Sequence, residues 1–277
     1  MSVRRRAVVL ATSAALALSL AACGGGADST ESNPYKLQQP GTLRVGTLTD
    51  APPNVFLKDG KFTGFDNDLL IAVAAKLGLK VEFIGTEFSS LLAQVKTGKY
   101  DLASSSISIT EGRRKTVDFT NKYDFGFLGL DVPKGSVITT FDQLAGRRVV
   151  VVQGTVQDDF ATREKLDPVR VPDYNAALNQ LKSGTADAWI TPAEIGEKTA
   201  AESDGKVLAV AKQLDVGGQA YAVKQQNDAL LEAVNTALDE VIEDGTWAKL
   251  QKQYYPDREI PADFKPGSGS VTIGAAK

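Results

Sequence analysis

Apolar side chains at Leu69, Leu70, Val73, Ala74 and Leu77 are spaced to line one face of a helix, and Gly78 ends the run. Asp66 and Asp68 stand at its start, where carboxylates suit the exposed N–H groups. Upstream, 43–47 reads as a strand. The apolar runs at 55–57 and 62–64 flank Lys58-Asp59-Gly60-Lys61, whose Asp-Gly pair marks a hairpin. Beyond a strand at 81–84 the chain begins to repeat itself: residues 87–103 return at 173–189 without a gap, at a constant offset of 86. Each copy reads as a helix, a glycine stop (Gly98, Gly184) and a short apolar strand.

The alternation of strand and helix continues through strands at 117–119, 148–152, 169–171, 187–191 and 207–210, with helices from Thr155 and Ala193. A strand at 219–223 then leads into two amphipathic helices, Asp228–Glu243 and Thr246–Tyr254. Two halves built to one pattern predict an α/β fold of two lobes with a ligand cleft between them. The first lobe takes 41–124, the second 125–218, and the return 219–264 brings the closing helices back to lobe one. Two crossings, at 123–127 and 217–221, then form a hinge.

Met1 to Arg6 is basic, residues 7–22 are an apolar run too short for a comfortable membrane span, and Cys23 follows. This is the layout of an export signal over 1–22. Leu20-Ala21-Ala22-Cys23 resembles a bacterial lipobox, which implies cleavage before Cys23, a lipid on that cysteine and an extracytoplasmic, membrane-anchored chain. Residues 23–40 read as a flexible tether and 265–277 as a flexible tail. The net charge of −3, with no basic stripe, argues against nucleic acid. No histidine is present and the single cysteine is assigned to lipid, so a zinc site and a Ser-His or Cys-His nucleophile are excluded on inventory, and no metal or cofactor is expected. Nothing in the sequence demands an oligomer.

Specific segments resemble the family 3 extracellular solute-binding proteins of ABC importers, over residues 41–256. Gly64-Phe65-Asp66-Asn67-Asp68 matches that family's Gly-aromatic-Asp signature, with Asn67 where an aliphatic residue is usual. Ser108-Ile109-Thr110-Glu111-Gly112-Arg113 resembles its Thr-Ile-Thr-x-x-Arg segment, Gln153-Gly154-Thr155 its second-lobe turn, and Asp244-Gly245-Thr246-Trp247 its C-terminal close. The resemblance implies a two-lobe, type II periplasmic-binding-protein-like fold that shuts on a small polar carboxylate-bearing solute of the amino-acid class and delivers it to a membrane permease.

It also implies a site. Arg113 offers a planar fork to the solute's α-carboxylate. The Ser108 hydroxyl and Ser106 N–H face the same anion, the Ser105 carbonyl faces an amine, and Thr155 donates its N–H and hydroxyl from the second lobe. Phe88 stacks on the ligand. Trp189, Thr191 and Glu194 lie at the end of the second repeat strand, where Trp189 is either a cleft wall or core. Two departures stand out: Leu48 and Ala51 replace the family's acid and aromatic, and the aspartate that pairs with the α-ammonium aligns with Pro192. Either Asp50, Asp158 or Glu194 substitutes, or the solute lacks a standard α-amine. Two alternatives share the fold: a dehydratase-like enzyme with Glu194 moving a proton, and a ligand-sensing receptor component.

Overall fold

The computed structural model describes residues 33–267; the export segment with Cys23, most of the tether and residues 268–277 of the tail lie outside them. Strand β1 (Thr42–Thr47) buries Leu43 and Val45 completely. A small antiparallel sheet follows, of β2 (Asp50–Ala51), β3 (Val55–Lys58) and β4 (Lys61–Thr63). The hairpin between β3 and β4 turns on Asp59 and Gly60, both left-handed at φ 50° and 75°, the geometry that an Asp-Gly pair favours. Helix α1 (Phe65–Lys76), β5 (Lys80–Gly85), α2 (Phe88–Lys96) and β6 (Leu102–Ser108) come next, and β1 lies parallel to both β5 and β6. After the one-turn helix α3 (Glu111–Arg114) and β7 (Asp118–Phe119), the chain enters β8 (Asp124–Pro133).

The second half runs through a 3-10 turn (Phe141–Leu144), β9 (Val149–Val152), α4 (Val156–Arg163), β10 (Val169–Val171), α5 (Tyr174–Lys182), β11 (Ala188–Pro192) and α6 (Ala193–Ala201). All four valines of β9 are buried, because it lies parallel between β10 and β11 with side chains packed on both faces. Then β12 (Val207–Val223) leads to α7 (Asp228–Glu243) and α8 (Thr246–Tyr254), which pack on α1.

Here the structure departs from the sequence reading. The segments at 207–210 and 219–223 are one strand, and β8 is a ten-residue strand that the periodicity did not mark. β12 pairs with β8 from Val207 to Asp215, shifts register, and from Gln219 to Val223 pairs with β6. The two long strands thus join both halves into one sheet, ordered β10-β9-β11-β8-β12-β6-β1-β5, with β7 against β12.

Three apolar cores result. One gathers Val45, Phe65, Leu69, Val73, Leu230, Leu238 and Trp247 under the closing helices, and another gathers Leu130, Val149, Val151, Phe160 and Ile190 in the second half. Each such side chain, fully buried, contributes about 1.5–3 kcal/mol. The third is continuous from Leu48, Phe88 and Leu91 to Val152, Tyr174 and Trp189, so the two halves meet in a closed arrangement.

Candidate ligand-binding site

Arg113 lies where the halves meet. The Thr110 hydroxyl accepts from the Arg113 N–H at 3.2 Å and so caps the turn that carries it. Its Nη1 donates to the Ser108 carbonyl at 2.7 Å, and Nη2 reaches across to the Gly154 carbonyl at 3.1 Å. Phe88, the first residue of α2, holds its ring centroid 5.0 Å from the guanidinium carbon. Only 9% of Arg113 is exposed, although it carries a charge.

Around it is a small cavity whose walls include Phe88, Ser105, Ser106, Ser108, Arg113 and Thr155. Six of the nine residues expected at the ligand are therefore brought together. Two of them, Ser106 and Thr155, direct their polar groups otherwise than expected. Ser106 adopts a left-handed φ of 45°, which turns its N–H onto Asp66; its hydroxyl also donates to Asp66 Oδ2, at 2.8 Å, and accepts from Asn54 Nδ2 at 2.8 Å. Asp66 takes a further bond from the Tyr123 hydroxyl at 3.0 Å. Burial pushes its carboxyl up to about 7, against the Ser106 hydrogen bond that pulls it down. The Thr155 hydroxyl donates to the Val152 carbonyl at 2.8 Å and accepts from the Asp158 N–H at 3.2 Å, so it caps α4 rather than facing the cavity as a free donor. Ser105 Oγ ties β1 to β6 by accepting from the Leu48 N–H at 3.1 Å.

Trp189, Thr191 and Glu194 are not on these walls. Trp189 is core, 1% exposed and 6.2 Å from the Tyr174 ring. Thr191 is fully buried behind Pro192 and Ile195, which do line the cavity. Glu194 borders a separate, more open depression of about 720 Å³ beside Phe127 and Arg258. Its Oε1 is 3.4 Å from Arg258 Nη1, and burial pushes its carboxyl up to about 7 despite that guanidinium.

The other acids weighed for an ammonium partner are also engaged. Asp50 Oδ2 accepts from the Asn175 N–H at 2.9 Å, and burial raises its pKa. Asp158 accepts from the Gly154 N–H at 3.0 Å and from Arg170 Nε at 2.8 Å, fixing the turn that faces Arg113. Wall residues that the sequence reading did not expect include Asn54, Gln157, Tyr174 and Gln219. The repeat pointed to Tyr174, which stands at the place of Phe88 (88 + 86 = 174). No sequence signal marked Asn54 or Gln219.

A mixed sheet shared by two lobes, with a buried arginine in the closed gap between them, defines a solute-binding protein of the two-lobe type. The chain belongs to the bacterial extracellular solute-binding proteins, family 3, whose pattern it matches over residues 43–257. It is 32% identical to a probable histidine-binding protein of Campylobacter jejuni, over 77% of this chain and 84% of that one. An ancestral arginine-binding protein bound to glutamine superposes with a TM-score of 0.75 at 33% identity, covering 78% of this chain and 99% of the other. An ancestral amino acid-binding protein described as a precursor of cyclohexadienyl dehydratase superposes at 0.74 with 31% identity, covering 81% and 100%.

Proposed function

We propose that this chain captures a small polar solute bearing a carboxylate, an amino acid in the first instance, by closure of its lobes on Arg113, and hands it to an ABC permease. The observation that carries this reading is the Arg113 guanidinium, which bonds to the Ser108 carbonyl of one half and the Gly154 carbonyl of the other. A carboxylate there sits on a bidentate cation at the junction, so binding favours the closed state. The amino acids named for its relatives support the solute class. Binding without chemistry is supported by Glu194, the acid that the dehydratase alternative requires, which is held by Arg258 outside the cavity walls.

In this reading the segments 41–124 with 219–264, and 125–218, rotate about the crossings at 124 and 219, where β12 changes partner. The lipobox at 20–23 adds an anchor: Cys23 carries lipid and tethers the chain outside the plasma membrane. Intact mass of the membrane-extracted chain should show acyl groups on an N-terminal Cys23, and an unmodified residue there refutes the anchor.

Titration calorimetry with the standard L-amino acids, on wild type and Arg113→Ala, tests the function. At least one amino acid should bind the wild type, and the variant should lose about 2–5 kcal/mol of that affinity. Binding that survives in Arg113→Ala removes the proposed anchor of the carboxylate.

A further inference from the structure

Resting on the reading above, we infer that Gln219 is a solute-binding residue whose side-chain oxygen accepts an N–H from the solute's ammonium, in the role that the family gives to an aspartate. Gln219 lines the cavity with Arg113, is 4% exposed, and its Oε1 has no hydrogen-bond partner among the described residues. A buried amide oxygen without a partner is costly, and a solute N–H delivered into the cavity removes that cost.

Three observations fix the assignment. First, the acids weighed for this role all serve elsewhere: Asp50 on Asn175, Asp158 on Gly154 and Arg170, Glu194 on Arg258. Second, Pro192, which occupies the aligned position of the missing aspartate, lines the same cavity as Gln219. Third, the surrounding backbone makes room for the carboxamide. An ideal side chain on Gly126 would come within 2.6 Å of Gln219 Nε2, so the absence of one there gives the amide its room. The backbone of Gln219 accepts from the Tyr123 N–H at 3.0 Å and stands opposite Ser108 and Asp124 in the sheet.

Gln219 is thus the residue at which β12 passes from β8 to β6. A solute held by Arg113 at its carboxylate and by Gln219 at its ammonium touches the cross-lobe cation and the crossing itself. A neutral acceptor replaces a charged one, so the ammonium is held by a dipole and the arginine keeps the site's attraction for the carboxylate end.

The test pairs each bound standard L-amino acid with its des-amino carboxylate, titrated into wild type, Gln219→Met and Gln219→Glu. Methionine keeps the length and removes the acceptor; glutamate restores one with charge. Gln219→Met should bind the amino acid roughly ten- to a hundredfold more weakly and bind the des-amino acid as the wild type does. Gln219→Glu should recover amino-acid binding and weaken the des-amino acid. If Gln219→Met weakens both ligands equally, or neither, while Arg113→Ala abolishes binding, the assignment is wrong and the functional reading stands. Failure of every amino acid to bind the wild type overturns both.

Discussion

Asp131 sits in the middle of β8, fully buried, with neither carboxylate oxygen hydrogen-bonded among the described residues. Burial pushes its pKa from 3.8 up to about 8, and the charge of Glu197 adds to the rise. A raised acid binds its proton more tightly in the folded chain than in the unfolded one. Stability from this group is therefore full below pH 3.8 and is lost as pH climbs towards about 8. Asp66 and Glu194, each pushed up to about 7, act in the same direction. The thermal midpoint should fall between about pH 5 and about pH 8, and by less in Asp131→Asn, which cannot ionise. Identical slopes in the two proteins would clear Asp131 as a source. None of this was legible in the sequence, where Asp131 is one acid in an apolar stretch. Arg113, by contrast, was legible through its motif, whereas the directions of the Ser106 and Thr155 donors were not. Those depend on one left-handed residue and one helix cap, which a spacing pattern does not encode.

Helices α2 and α5 show how far a repeat carries into structure. They begin at Phe88 and Tyr174 and end at Lys96 and Lys182, an offset of 86 at both ends (174 − 88 and 182 − 96). Leu91 and Val95 are buried in one, Ala177 and Leu181 in the other, and Gly98 and Gly184 leave each helix at φ 78° and 72°. Asp101 and Asp187 continue the match: each accepts the backbone N–H of an arginine, Arg44 at 2.8 Å and Arg148 at 2.9 Å, at the foot of the neighbouring strand. The copies differ at their first turn. Asp173 accepts from the Ala176 N–H at 2.7 Å, while exposed Glu87 makes no cap bond. Asp173→Ala should therefore cost about 1 kcal/mol in urea unfolding, and Glu87→Ala should stay within about 0.5 kcal/mol. Equal losses would mean that the cap does not carry the difference. Elements with such periodicity were readable, but β8 and the middle of β12 were not. Strands packed on both sides lose the alternation that marks a strand, and β12 passes from one lobe's partner to the other's within a single run.

At the scale of the molecule, the lobes meet with little free space between them at Arg113. The cavity at Arg113 is about 30 Å³, room for roughly two waters, against some 300 Å³ or more for typical small-molecule sites. Capture therefore requires the lobes to part and shut again, with Arg113 to Gly154 and Asp50 to Asn175 among the contacts that form on shutting. Gly154 is a point of close approach in that closure. An ideal Cβ on it would lie 3.3 Å from the Ser89 Cα across the gap, and its φ of 79° is left-handed. Asparagine tolerates that backbone yet brings the Cβ, so Gly154→Asn separates closure from local strain. The variant should unfold close to wild type, bind the solute roughly five- to tenfold more weakly, and contract less in small-angle scattering when solute is added. Gly154 does not have to touch the solute for this to hold, because the crowding exists only when the lobes meet. Unchanged affinity with full contraction would show that the Gly154–Ser89 approach does not limit closure.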